Sequence, residues 1–280
     1  MDWQAISGNW LLVPSRPRAI VHFLGGAFVA GAPQITYRLL LEHLAHQGYA
    51  VVATPFINTM DHVAIARSTL LAFEGALDYL QEQILRQRYL PVYGLGHSMG
   101  CKLHLLICSL FEVERAGNIF ISFNNFPARR SIPFLEQANQ FSTVFEGMRQ
   151  SFPLLNQFAQ VSPMLDAEFV PSPDETNQLI ADRYAVRRNL LIKFRQDDID
   201  QTLTLNDVLQ LRFPDLTTFH ILPGNHLTPL GQDVTWQSGD AFSPIDALGQ
   251  FVRQEFYRDL HQLKLQVLRW LDPVTFDRKA

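Results

Sequence analysis

The stretch GLGHSMGCKLHLL, residues 94–106, sets Ser98 between Gly96 and Gly100 at a change of periodicity. The apolar run Leu90–Leu95 before it reads as a buried strand, and Cys101–Phe111 after it repeats apolar residues at helical spacing. Gly96-His97-Ser98-Met99-Gly100 is therefore a G-x-S-x-G pentapeptide with a strand before it and a helix after it, the context a nucleophile elbow requires. Its serine takes a strained backbone conformation. The flanking positions approach neighbouring backbone, where only a glycine hydrogen fits. The following helix would aim its N-terminal dipole at the serine oxygen, and the Met99 N–H would serve as one oxyanion donor.

The rest of the chain repeats the strand–helix alternation. Strand candidates are Trp10–Val13, Ala19–Leu24, Tyr49–Thr54, Asn118–Phe123, Leu190–Phe194 and Thr217–Leu222. The central ones are continuous apolar runs, as expected of strands buried on both faces of a parallel sheet. Helical spacing appears over Thr36–Gln47, Asp61–Gln87 and Pro244–Leu271. The pattern predicts an α/β fold with a mostly parallel sheet flanked by helices. With 280 residues, 47% hydrophobic and 18% charged, the chain has material for a full core. A net charge of -4 without a Lys/Arg run argues against nucleic acid and anionic membrane surfaces as partners. No apolar stretch has transmembrane length, and the N-terminal MDWQAISGNW lacks the basic and apolar regions of a secretory signal. Cys101 and Cys108 lie about two turns apart on one predicted helix, too far for a disulfide, so a reducing compartment is expected. No Cys/His cluster has metal-ligand spacing, and the chemistry calls for no cofactor.

A second glycine turn, Gly25-Gly26-Ala27-Phe28, follows the strand Ala19–Leu24. It resembles the H-G-G-G-F turn of lipases and esterases, with Leu24 where that histidine would stand. The match implies oxyanion donors at Gly26 and Ala27. A serine also needs a base. Of nine histidines, His22 falls inside a strand, His220 in the last strand, and His43, His46, His62 and His261 on helices whose surfaces they are expected to face. His97 and His104 flank the elbow. His226 alone follows the last strand in a loop, Pro223-Gly224-Asn225-His226, and is the candidate base. The acid is expected after the penultimate strand, where Asp197-Asp198-Ile199-Asp200 crowds three carboxylates. Spacing favours Asp198, with Asp197 and Asp200 as alternatives. The order Ser98…Asp198…His226 puts each member at a strand end.

These residues together resemble the α/β-hydrolase superfamily. More narrowly, His22-Phe23-Leu24-Gly25-Gly26-Ala27-Phe28 with Asp197-Asp198-Ile199-Asp200-Gln201-Thr202 resembles the DUF1350 family of cyanobacterial and plastid proteins, which has no assigned activity. The resemblance implies a cyanobacterial cytosol or a plastid stroma, and supplies no substrate.

Between Phe126 and Arg188 the alternation stops. Prolines cut this segment into short pieces, and seven phenylalanines with Met148 and Met164 enrich it. It is expected to form a helical cap, residues 126–188, inserted into a core of residues 1–125 and 189–280. Trp236 and Phe242 are candidates for the pocket rim. An apolar roof would admit an acyl or alkyl group and offer a peripheral membrane contact. The expectation is thus a serine hydrolase acting on a small apolar ester or thioester. An acyltransferase using the same triad is one alternative. A catalytically silent protein of this fold, binding a lipid, pigment or protein, is the other.

Overall fold

The structure, a computed structural model, describes residues 1–86, 89–128, 168–231 and 244–272, with side chains from residue 257 onward in the last segment. Its frame is one eight-stranded sheet: β1 (Gln4–Ile6), β2 (Asn9–Leu12), β3 (Ala19–Leu24), β4 (Tyr49–Ala53), β5 (Val92–His97), β6 (Gly117–Ile121), β7 (Asn189–Gln196) and β8 (Thr217–Asn225). The order across the sheet is β1-β2-β4-β3-β5-β6-β7-β8. The pairs β1–β2 and β2–β4 are antiparallel, and all later pairs are parallel. Crossovers are α1 (Pro33–Thr36), α2 (Arg38–His46), α3 (His62–Tyr79), α4 (Met99–Leu110), α5 (Pro173–Arg183) and α6 (Thr202–Arg212), and α7 (Pro244–Leu271) closes the described chain.

Strand side chains alternate between two apolar layers, as the pleat requires. Val21, Phe23, Leu95, Ile119, Ile121, Ile192 and Phe194 pack with Leu40, Leu41 and Leu44 of α2 and Leu260, Leu263 and Val267 of α7. Phe120, Leu191 and Leu24 face the other way, against Leu103 and Ile107 of α4, Ile180 of α5 and Leu205 and Leu209 of α6. Sandwiching by helices explains why the central strands read as continuous apolar runs.

Several boundaries differ from the sequence reading for physical reasons. The three-residue β1 is largely exposed and carries no apolar signal. The helix expected to run straight over Asp61–Gln87 changes to a π-helical turn at Leu80–Ile84. Strand β7 continues two residues beyond Phe194, through a register irregularity between Phe194 and Gln196. Most of the expected cap, together with Trp236 and Phe242, lies outside the described residues. The described part of the cap segment includes α5, whose start is closed by a capping box between Ser172 and Glu175.

The fold fixes where chemistry is available. From β3 the chain moves to one side into β4, then returns to the other side of β3 as β5. The carboxyl ends of β3 and β5 therefore flank a topological switch point, where open α/β sheets leave a crevice. Gly25–Ala27 leave the end of β3, and Ser98 leaves the end of β5.

Candidate active site

Ser98 has φ 54° and ψ −119°, in the left-handed half of the map that non-glycine residues seldom occupy. Its own N–H donates to the Ile121 oxygen of β6 at 2.9 Å. The flanking glycines are required by contact. A Cβ on Gly96 would come within 2.6 Å of the Cys101 nitrogen. One on Gly100 would collide with the Leu24 oxygen. The elbow is thus wedged between β3 and the first turn of α4. Met99 opens that helix, so its N–H has no carbonyl partner inside it.

His226 lies in a turn at the end of β8. Gly224, at φ +115°, begins it, and the Asn225 and Thr228 main chains and the Thr228 hydroxyl close it. The His226 Nδ1 meets Asp197 Oδ2 at 2.9 Å. Asp197 is 4% exposed, and its other oxygen accepts the Ile199 N–H at 3.2 Å. Burial pushes the Asp197 carboxyl up. The hydrogen bond and charge of His226, the nearby Ser122 hydroxyl and the Ile199 N–H outweigh it and hold the carboxyl below its usual range.

The carboxylate facing His226 is therefore Asp197, not the favoured Asp198. The length of β7 supplies the reason: the strand runs on past Phe194 to Gln196, so Asp197 is the first residue beyond it, and the extra residue in the pairing lies in β8, between Leu222 and Asn225. Asp198 lines the pocket without meeting His226. Asp200 has a structural task. Its carboxylate accepts the Thr202 N–H and hydroxyl at 2.7 and 3.0 Å where α6 begins, and pairs with Lys193 at 3.5 Å.

The glycine turn needs a second correction. The Gly26 N–H donates to the Tyr37 hydroxyl at 2.7 Å, which commits it elsewhere. Of the two expected donors in this turn, Ala27 remains, lining the pocket together with Met99.

Tyr37 leads to a network that sequence reasoning missed. His97 Nε2 lies 3.0 Å from the His226 carbonyl oxygen, which only accepts, so Nε2 carries the proton. His97 Nδ1 is then an acceptor, and the Tyr37 hydroxyl donates to it at 2.8 Å. Burial, then repulsion from His226, brings the His97 pKa down to about 3, against the opposing pull of Asp197. The imidazole is neutral, as this pattern requires. Tyr37 lies eleven residues past Gly26 and carries no motif. The signal available was its place on the apolar face of an amphipathic helical stretch, in line with Leu40, Leu41 and Leu44.

Around Ser98 opens a pocket of about 450 Å³, in the range of small-molecule sites. Phe28, Val29, Met99, Phe126, Phe169 and Leu230 give it an apolar lining. His62 reaches it too. Expected at a helix surface, it is 3% exposed and stacks on Phe169 at 4.2 Å between ring centroids. Among the described residues, no group of His, Cys, Asp and Glu is arranged to hold a metal ion. Nor is any described helix long and apolar enough to cross a membrane.

Comparison with solved structures identifies an α/β-hydrolase fold. The Pyrococcus furiosus esterase Pf2001 superimposes with a TM-score of 0.54 at 13% identity, covering 95% of this chain and 84% of its own. DcsB, solved with a substrate analogue, gives 0.50 at 12% identity, covering 89% and 94%. At such identities the likeness concerns the fold. No curated protein matches the sequence. The model of the family described as protein of unknown function, DUF1350, matches residues 2–273, and the chain belongs to that family.

Proposed function

We propose that the protein is a serine hydrolase cleaving an ester or thioester with an apolar acyl or alkyl group. The observation that carries this reading is the Asp197–His226 pair, 2.9 Å apart, beside the elbow-held Ser98. With Nδ1 held by Asp197, His226 presents Nε2 as the base. Ser98 Oγ attacks the substrate carbonyl carbon and its proton passes to Nε2. The carbonyl oxygen becomes an oxyanion, received by the N–H groups of Met99 and Ala27. Collapse expels the alkoxide or thiolate, which takes the proton from His226. Water, deprotonated by the same nitrogen, then releases the acyl group. Asp197 orients the imidazole and stabilises its cation without taking the proton. The apolar lining and the esterase activity named for the Pyrococcus furiosus relative of this fold agree with that substrate class.

The test is labelling with a fluorophosphonate, with the adduct mapped by mass spectrometry. The expected result is one adduct on Ser98, absent from Ser98→Ala and strongly reduced in His226→Ala. An unlabelled protein under conditions that label a known esterase would overturn the reading. Turnover of 4-nitrophenyl hexanoate to free acid distinguishes hydrolysis from acyl transfer.

A further inference from the structure

The lining of the pocket is asymmetric in charge. Asp197, Asp198 and His226 come from the ends of β7 and β8, on one side of β5. From the α3–α4 side come His62 and Lys102. Lys102 is the single Lys or Arg among the described lining residues, and it is 2% exposed. It follows Ser98 by four residues, about 6 Å along α4. An ammonium so deeply buried ordinarily has a carboxylate partner. Here Nζ donates to the Pro171 oxygen at 3.2 Å and lies 5.6 Å from the centroid of Phe169. Among the described residues no carboxylate is within ion-pair distance of it. The nearest acidic influence is Glu168, whose Oε1 already accepts the Ala128 and Phe169 N–H groups at 2.9 and 2.8 Å.

His62 stacks on the same Phe169 ring, and neither of its buried nitrogens has a hydrogen-bond partner. Two polar groups are thus gathered around one aromatic ring at the wall of the pocket, with bonding capacity to spare. A buried N–H left without an acceptor is costly. A ligand oxygen entering there would satisfy it.

We propose that Lys102 and His62 form a carboxylate subsite, so that the ester or thioester cleaved at Ser98 carries a free carboxylate a short chain away from the scissile carbonyl. The substrate half of this inference rests on the hydrolase reading; the subsite itself does not. One ammonium favours a monoanion over a dianionic phosphate, which would leave a charge uncompensated. Burial acts on both groups. It brings the Lys102 pKa to about 7, despite Glu168, and that of His62 to about 3, with Lys102 adding to the second effect. An entering carboxylate would hold Lys102 as the ammonium, beside a neutral imidazole N–H of His62. The bidentate acceptor of a carboxylate matches that pair.

The experiment is calorimetric titration of the Ser98→Ala protein with monoethyl and diethyl esters of succinate, adipate and suberate. The half-ester of at least one length is expected to bind tenfold or more tightly than its diester. That ratio is expected to fall to near unity in Ser98→Ala/Lys102→Gln, which keeps a donor for the Pro171 oxygen but removes the charge. Equal binding of half-ester and diester at all three lengths would overturn the subsite, as would a preference that survives Lys102→Gln. Should the double variant fail to fold, competition in Ser98→Ala by the free diacid of the preferred length against its monoethyl ester decides: displacement supports the subsite and its absence sinks it. A fluorophosphonate adduct on Ser98 without half-ester preference would remove the subsite alone. A half-ester preference without an adduct would remove the hydrolase reading alone.

Discussion

His97 donates from Nε2 to the main-chain oxygen of His226 across 3.0 Å, joining the residue before Ser98 to the backbone of the loop after β8. The opposite nitrogen is held by Tyr37, which also holds Gly26. Tyr37→Phe removes both of these bonds and leaves a buried N–H and a buried imidazole nitrogen unpartnered. The expected cost is about 1–3 kcal/mol of stability in urea unfolding. A lower kcat at a nearly unchanged KM is expected with it, since the Gly25–Phe28 turn and the His226 loop lose their common anchor.

Asp197 and Asp198 are adjacent, yet their substitutions should differ sharply. Asp197→Asn is expected to lower kcat by about 10⁴, because an amide neither selects the tautomer nor stabilises the imidazolium. Asp198→Asn is expected to stay within a few-fold of the parent. Steady-state kinetics on 4-nitrophenyl hexanoate compares them. Equal losses would remove Asp197 from the proposed triad.

Strain at Ser98 should be recoverable. With φ at 54°, this position suits glycine better than serine. Ser98→Gly is expected to raise stability by about 1 kcal/mol while abolishing turnover. A thermal midpoint that drops would show that the serine hydroxyl contributes more than its backbone costs.

The glycines differ in what surrounds them. At Gly100 an added Cβ meets β3 backbone, which has no means of yielding, so Gly100→Ala is expected to cost at least about 4 kcal/mol or prevent folding. Gly31→Ala meets nothing within 4 Å and serves as the neutral control. Yield and urea midpoint report both.

Acid should destabilise the protein early. His62, His97 and His104 are held near 3, and His43 near 4, with burial the first cause in each; His22 is also well below 6.5. Between those values and 6.5 the unfolded chain binds more protons than the folded one. Stability is therefore complete above about pH 6.5 and declines as pH falls, each histidine adding a slope of up to about 1.4 kcal/mol per pH unit. Unfolding free energies measured between pH 7 and 4.5 should show this. His104→Gln should flatten the slope by about one histidine's share.

The parts legible in sequence are those fixed by chain-local geometry. Ser98 is marked by glycines that steric contact demands, and His226 by its place after the last strand. The choice among three aspartates was not legible, because it turns on where β7 ends, two residues past the apolar run, and on an extra residue in β8 that offsets the pairing there. Nor was the commitment of Gly26, which depends on Tyr37 folding back over the turn. His62 reads as a surface residue because α3 is amphipathic only in part. Its burial comes from Phe169, more than a hundred residues later.

The three hydrogen bonds through Tyr37 and His97 tie together segments that begin at residue 26 and end at residue 226. No half of the chain contains them all. A nascent or partly denatured molecule therefore lacks an assembled centre, and the proposed reactivity at Ser98 becomes a property of the finished sheet. In a denaturant titration, probe labelling and the near-ultraviolet signal should vanish together, with no inactive folded species between.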